Sequence, residues 1–192
     1  MKTLLYYLII GIFLSLSCKK DPLDYIYSGT IIGLHLNNNN WPIPQNWKSV
    51  AFGGISPSTV NCKGGLGFIT IQSSTPENFG RELISMFGLP LKTGKVIVTE
   101  FIVTDTTSKC IMSPGANIYL DAEDGDILVG TYTPLPSAEN SVTIISYNAN
   151  SGDVSGTFDI TFVKKDLVSF VYPYYTDTIR FNGGQFHTKW IK

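Results

Sequence analysis

The chain has 192 residues, of which 43% are hydrophobic, 12% aromatic and only 15% charged, with a formal net charge of -1 at pH 7. This length favours one domain, and the aromatic and hydrophobic content excludes a disordered chain. The charge balance offers no basic surface, so no nucleic-acid partner is expected. Charged residues usually make up about a quarter of a soluble domain, and their scarcity here favours a β-rich protein outside the cytoplasm.

The N-terminus has the form of a secretory signal. Lys2 precedes an apolar run over residues 4–16, which is too short for a membrane-spanning helix and fits the core of a signal peptide. The run ends in Leu-Ser-Leu-Ser followed by Cys18, and this ending resembles the lipobox of bacterial lipoproteins. The resemblance implies a signal peptide over residues 1–17 and acyl chains such as palmitate on Cys18. The alternative is an ordinary secretory signal with an unmodified cysteine.

The residues after the cysteine read as a short tether, 18–25, followed by a folded domain over residues 26–192. Lys19, by analogy with lipoprotein sorting, implies an outer-membrane location, either periplasmic or surface-facing. The membrane is then a partner through the lipid anchor, because several acyl chains hold a protein persistently.

Two further cysteines remain, Cys62 and Cys110. In an oxidising compartment such a pair favours a disulfide, for which chain entropy predicts a stabilisation of roughly 4 kcal/mol. The alternatives are two buried free thiols or a metal site, and the metal site is disfavoured because neither cysteine has a second ligand nearby in the sequence.

Strand signals follow the tether along the chain, with turn formers between them. The N-terminal runs with this pattern are residues 28–36, 49–53, 66–72, 82–87 and 95–104. A polar turn over residues 37–40 follows the first run, and the Pro-containing segment 41–47 reads as irregular. Residues 78–86 could also form a short helix.

The C-terminal half shows clearer pairing. Residues 142–147 and 156–163 flank an Asn- and Gly-containing loop and predict a hairpin, with the phenylalanines of the second arm alternating with polar residues. Residues 178–181 and 185–191 flank Asn182-Gly-Gly and predict a second hairpin. The regular strand spacing predicts a single antiparallel β-sandwich or flattened barrel after an N-terminal signal helix and tether.

Residues 142–147 and the segment Val-Ser-Gly-Thr-Phe-Asp-Ile-Thr-Phe over 154–162 resemble a family of Bacteroidota lipoproteins. The C-terminal part of that family has the pattern vtItkyd…isGtFsf and closes with a strand pair similar to residues 178–186. The resemblance implies an all-β lipoprotein without catalytic residues to carry over. In that context Gly156 would relieve crowding between strands, and Phe158 and Phe162 would fill the core.

Catalytic motifs are absent from the sequence. There is no Gly-x-Ser-x-Gly elbow, and the two histidines, His35 and His187, fall in strand-like runs where partly exposed positions are expected. Four carboxylates that a glycosidase could use are scattered along the chain, at Glu77, Glu82, Glu100 and Asp159. The expectation is therefore a non-enzyme without a cofactor.

One acidic cluster is a weak calcium candidate. Asp121, Glu123, Asp124 and Asp126 surround a glycine turn, but the spacing is not that of an EF-hand loop. A solvated hairpin turn between residues 118–120 and 127–129 is the alternative, and no metal site is expected.

Loop aromatics are the remaining candidates for ligand binding. Tyr172, Tyr174 and Tyr175 are expected to be exposed, whereas Trp41 and Trp47 either bind a ligand or plug an end of the core. The sequence therefore favours a binding or structural module for a glycan or a protein. A carrier of a small apolar ligand or a hydrolase with dispersed carboxylates are the alternatives.

Overall fold

A computed structural model of the chain describes residues 30–32, 35–37, 39–40, 48–55, 66–77, 79–100, 113–121, 127–167 and 175–191. All thirteen strands of this part belong to one sheet, so the fold is all-β as predicted. The strands are β1 (Thr30–Ile32), β2 (His35–Leu36), β3 (Asn39–Asn40), β4 (Lys48–Ile55), β5 (Leu66–Ser74), β6 (Gly80–Pro90), β7 (Gly94–Ile97), β8 (Thr99–Glu100), β9 (Gly115–Asp121), β10 (Leu128–Pro134), β11 (Ser141–Tyr147), β12 (Asp153–Leu167) and β13 (Thr178–Ile191).

The sheet curves into a closed ring. Strands β13, β4, β5, β6, β9, β10 and β12 follow one another as hydrogen-bonded neighbours, and β12 pairs with β13 to complete the circle. The ring is that of a flattened barrel. Strands β11 and β7 extend it beside β12, while β1, β2 and β3 extend it beside β13. Within the described ranges, no helix is long and apolar enough to cross a membrane.

The sheet is mixed: most neighbouring strands are antiparallel, as predicted, and two of the described pairs are parallel. Strand β13 runs parallel to β4, with Trp190 opposite Gly53, and β8 runs parallel to β9. The β13–β4 pairing joins the end of the chain to the first long strand. A closed ring in which every neighbouring pair is antiparallel needs an even number of strands. This ring has seven strands, so at least one neighbouring pair has to be parallel.

Strand alternation separates an inner from an outer face. Ala51, Ile71, Ile84 and Ile118 are opposite one another across β4, β5, β6 and β9, and all four are fully buried. Their neighbours along the strands point to the other face. The core is therefore the inside of the ring.

The hairpin of β11 and β12 confirms the prediction for residues 142–163. Val142 is opposite Phe158 and Ile144 is opposite Gly156. A Cβ atom at Gly156 would lie 2.2 Å from the carbonyl oxygen of Thr143 and 2.7 Å from the Phe186 ring. The expected crowding is present, because three strands approach closely at this position.

The predicted hairpin around Asn182-Gly-Gly is wrong. Residues 178–191 form one continuous strand, β13, which pairs with β12 on both sides of these glycines. The register shift there leaves one extra residue on β13, and Gly183 has a positive φ of 68°. A β-bulge that contains a glycine in the left-handed region makes the same backbone demand as an Asn-Gly turn, so the two structures share this sequence signal.

Two other predictions concern the N-terminal half. The first run, residues 28–36, contains two short strands, β1 and β2, and the polar turn leads into β3 with Asn37 at a φ of 51°. The backbone amide of Arg180 donates to Asn37 Oδ1 at 2.7 Å, which fixes this turn to β13. Residues 80–90 form the strand β6, so the helical alternative for residues 78–86 is wrong.

Trp190 closes the core beside β4 and β5. The residue is 2% exposed, its Nε1 donates to the Phe68 carbonyl oxygen at 3.0 Å, and its ring centroid lies 5.1 Å from that of Tyr147. Gly67 leaves room for the indole, since a Cβ there would lie 2.3 Å from the ring. The sequence predicts an end-plugging role for Trp41 and Trp47, and Trp190 is not among the predicted residues.

Candidate functional site

A polar cleft lies on the outer surface of the ring, across β8, β9, β10 and β12. Its volume is about 210 Å³. Because Ile118 of β9 points into the core, the side chains of Asn117 and Tyr119 on either side point outward. Thr131 is opposite Tyr119 across the β9–β10 pair, and Thr133 lies two positions further along β10. The described lining of the cleft therefore comes mainly from outward positions on adjacent strands.

A bulge in β12 adds two charged side chains to the cleft. Thr131 is opposite Asp166 whereas Tyr132 is opposite Lys164, so Lys165 is an extra residue between the two pairs. This irregularity brings both Lys165 and Asp166 to the cleft instead of to opposite faces. Strand β8 supplies the third charge, because its last residue, Glu100, also lines the cleft.

Glu100 and Lys165 form an ion pair between Oε1 and Nζ. The hydrogen bond to Glu100, helped by its negative charge and by that of Asp166, raises the pKa of the Lys165 ammonium above its ordinary value. Lys165 is thus held in its charged form. With Asp166 included, the three charged groups of the cleft carry one net negative charge.

The polar groups of the cleft are only partly hydrogen-bonded to one another. Asn117 Nδ2 donates to the Tyr119 hydroxyl at 3.2 Å, and Thr131 Oγ1 donates to Asp166 Oδ2 at 3.4 Å. Asn117 Oδ1 is buried and has no hydrogen-bond partner among the described residues. Buried polar atoms in native proteins almost always have a partner, so this oxygen marks a position where a donor is expected.

A second, less polar depression lies on β1, β11, β12 and β13, with a volume of about 170 Å³. A register shift makes Ile145 a bulged residue of β11, and its side chain is 60% exposed. Beside it the Ser146 and Ser155 hydroxyls share a hydrogen bond of 2.7 Å. The exposed His187 also lines this depression. We refer to this depression as the Ile145 shelf.

The exposed position predicted for Tyr175 is wrong. Its side chain is 2% exposed, and its ring centroid lies 5.7 Å from that of the buried Tyr132. The aromatic area that suggested ligand binding instead packs in the core, where it removes more apolar surface from water. Four of the predicted ligand-binding aromatics lie outside the described residues: Tyr172, Tyr174, Trp41 and Trp47.

The three cysteines Cys18, Cys62 and Cys110 also lie outside the described residues. Of the calcium candidates, Glu123, Asp124 and Asp126 do so as well, while Asp121 ends β9. Burial raises the pKa of the Asp121 carboxyl above its ordinary value, and the positive charge of Arg81 opposes this shift. In the described part of the chain, no group of three His, Cys, Asp or Glu side chains could hold a metal ion together.

The four scattered carboxylates occupy different environments. Glu77 is exposed in the turn before β6, and Glu82 is fully buried and accepts a hydrogen bond from the Ser73 hydroxyl at 2.7 Å. Asp159 accepts two hydrogen bonds from the Arg180 guanidinium, at 2.7 and 3.0 Å. Of these four carboxylates, Glu100 alone lines the cleft. The second carboxylate in the cleft is Asp166, which is not one of the four.

The histidines follow the sequence prediction in part. His187 lies on β13 and is exposed, as expected for a strand residue on the outer face, and His35 lies on β2. The residues that line the cleft include no histidine, cysteine or serine. The described lining provides hydrogen-bonding groups, two tyrosines (Tyr119 and the buried Tyr132), the Lys165 ammonium and two carboxylates.

Of the eight described residues that line the cleft, the sequence predictions include Glu100 alone; the seven others are Asn117, Tyr119, Thr131, Tyr132, Thr133, Lys165 and Asp166. The available signal was the alternation of polar side chains with buried ones along β9 and β10, which places Asn117, Tyr119 and Thr131 on the outside. No family model, curated protein or solved structure matches this chain.

Proposed function

We propose that the protein is a non-catalytic binding module that is held at the outer membrane by a lipid on Cys18. The proposal rests on one observation, the polar cleft on the outside of a ring whose interior is filled by side chains. Ligand sites are typically concave and contain a few polar groups that converge on one volume. A glycan or a protein segment is the expected ligand.

The lipid anchor is supported by the sequence of the first 18 residues, where an apolar run ends at Cys18. The resemblance to Bacteroidota lipoproteins supports the same location. We also propose a disulfide between Cys62 and Cys110, since an oxidising compartment preserves such pairs. Alkylation of the unreduced, unfolded protein tests it, and two labelled thiols would exclude the bridge.

The apolar carrier is less well supported than the binding module. A carrier of this fold holds its ligand inside the barrel, and a small barrel has room for one only where its side chains leave a cavity. The described interior contains large buried side chains, and the rings of Phe162 and Phe181 pack edge to face with centroids 6.3 Å apart. These contacts favour an outer binding site.

A hydrolase is the second candidate, and one observation favours it: Glu100 and Asp166 line the same cleft. Glycosidases place two carboxyl groups about 5–10 Å apart, one of them protonated to act as an acid. Glu100 Oε1 is already engaged by Lys165 Nζ, so this oxygen is not available to a substrate, which opposes such a role. Release of reducing ends by the wild type, lost in Glu100→Gln, would establish hydrolysis and contradict the non-catalytic proposal.

The binding function is tested with the full mature protein in lipid nanodiscs, probed against a glycan array and, separately, against envelope proteins by crosslinking. Empty nanodiscs are the control. Saturable binding to a glycan or to one protein supports the proposal. The absence of saturable binding in both experiments would contradict it.

A further inference from the structure

We infer that the cleft on β8, β9, β10 and β12 binds one ring of an uncharged saccharide. This inference rests on the proposed binding function and names the ligand class. A single ring is the appropriate size, because the cleft, at about 210 Å³, is smaller than the 300–1,000 Å³ typical of sites for drug-sized ligands. The ring would belong to a longer glycan that continues along the open surface.

The hydrogen-bonding groups match adjacent sugar hydroxyls. A hydroxyl both donates and accepts, so it needs acceptors and donors side by side. The Asp166 carboxylate and the unpartnered Asn117 Oδ1 are acceptors, and the hydroxyls of Tyr119 and Thr133 serve in either role. Rotation of the Asn117 amide would bring Oδ1 to a ligand donor and give this buried atom a hydrogen-bond partner.

The charges of the cleft favour an uncharged ligand. The Lys165 ammonium already pairs with Glu100. Among the described residues of the cleft, a ligand carboxylate or sulfate would have to compete with Glu100 for Lys165, and it would also meet the Asp166 charge. A ligand cation would gain little, because Asp166 is exposed and ion pairs at exposed sites are worth about 0–1 kcal/mol. Hydroxyls avoid both problems and use the carboxylate as an acceptor.

The support for the site is rigid. Asn117, Tyr119 and Thr131 lie in the middle of paired strands, and the bulge that presents Lys165 and Asp166 is fixed by backbone pairs on both sides. Side chains on such strands lose little freedom when a ligand binds, which lowers the entropic cost of binding. The apolar C–H face of a neutral sugar ring can also lie against the Tyr119 ring.

The experiment compares neutral, uronic-acid and amino-sugar glycans of equal length on the array, followed by calorimetric titration of the best neutral glycan. Asp166→Asn and Tyr119→Phe each remove one proposed hydrogen-bonding group. Each variant should bind about tenfold more weakly, because one such hydrogen bond contributes about 1–2 kcal/mol to the free energy of binding. Ser155→Ala on the Ile145 shelf is the matched control and should bind as the wild type does. Thermal unfolding of each variant checks that the fold is intact.

The outcomes separate this inference from the proposed function. Selective binding of neutral glycans that both cleft variants weaken supports both. Preference for acidic or amino sugars, or equal binding by the cleft variants and the wild type, overturns the saccharide inference while the binding function stands. Saturable binding of a protein but of no glycan has the same meaning. No saturable binding of any ligand overturns both.

Discussion

At the scale of single residues, the protein depends on a few positions where side chains and main chain are in close contact. Gly156 sits where β11, β12 and β13 approach one another, and the Thr143 carbonyl oxygen occupies the space of a Cβ atom. Tyr132 is fully buried, yet its hydroxyl donates to the Thr176 carbonyl oxygen at 2.9 Å. Position 156 therefore has no room for a side chain, whereas Tyr132 needs a hydrogen-bond acceptor for its buried hydroxyl.

Gly156→Ala should destabilise the fold by about 2 kcal/mol or more, because the new methyl group meets main-chain atoms that cannot move independently. Urea denaturation measures the free energy of unfolding. Gly80→Ala is the control, since the nearest atom there is the amide end of the flexible Gln72 side chain, at 2.9 Å. A loss at Gly156 no larger than that at Gly80 would contradict the packing described.

Tyr132→Phe should lower the free energy of unfolding by about 1 kcal/mol at neutral pH, through loss of the hydrogen bond to Thr176. Burial, with a smaller effect from the Asp177 charge, raises the pKa of the Tyr132 hydroxyl above its ordinary value of 10.0. The unfolded state therefore loses this proton first as the pH rises through 10, and wild-type stability falls in that range.

Denaturation of both proteins between pH 8 and pH 11 measures this dependence. The stability difference between the wild type and Tyr132→Phe is expected to shrink above pH 10, because the variant lacks the titrating group. A constant difference across the range would contradict the pKa shift.

At the scale of strands, the ring is completed by the end of β13. The parallel pairing of β13 with β4 is short, with Trp190 opposite Gly53 and Ile191 opposite Gly54. The indole of Trp190 strengthens this junction by its hydrogen bond to β5 and its contact with Tyr147. The C-terminal strand therefore joins the two halves of the sheet.

Trp190→Ala should cost about 3–5 kcal/mol, the usual penalty for removing a large buried aromatic side chain. Trp190→Phe is the matched variant, because it retains an aromatic ring and loses the hydrogen bond to the Phe68 carbonyl oxygen. Trp190→Phe should lower the free energy of unfolding by clearly less than Trp190→Ala does. Chemical denaturation measures both, and a cost below about 1 kcal/mol for the alanine variant would show that the junction does not depend on the indole.

The strand scale also shows what the sequence could predict. Alternation of phenylalanines with polar residues identifies β12, and the loop before it identifies the pairing with β11, because both signals are local. The Asn182-Gly-Gly segment misled the prediction, since a bulge and a turn both need a residue with positive φ. Only the long-range pairing with β12 distinguishes the two structures.

The cleft could be predicted only in part. Outward positions on the neighbouring strands β9 and β10 follow from alternation, but the cleft also takes residues from β8 and β12, whose places beside that hairpin are set by tertiary pairing. Its charged side comes from a register shift at Lys165, which depends on how β10 and β12 align. Tyr175 could not be predicted for a related reason. The sequence places this aromatic residue in a loop, where exposure is expected, but the fold buries it in the core.

At the scale of the whole molecule, the ring of strands has a filled interior and a cleft on its outside, and the lipid anchor on Cys18 is our proposal. The anchor predicts that a palmitate analogue labels the wild type in cells and that Cys18→Ser abolishes the label. Labelling of a lipoprotein with an unrelated sequence in the same cells is the positive control. Equal labelling of the wild type and Cys18→Ser would place the lipid elsewhere, and an unlabelled wild type would remove the anchor.

Hydroxyl-radical footprinting of the mature protein in nanodiscs, with and without the best neutral glycan from the array, tests the outer binding site most directly. The account predicts that the glycan slows oxidation of Tyr119 in the cleft. Oxidation of the exposed Ile145 and Phe79 should not change, because both lie away from the cleft. Unchanged oxidation of Tyr119 at saturating glycan, or protection of Ile145 instead, would contradict it.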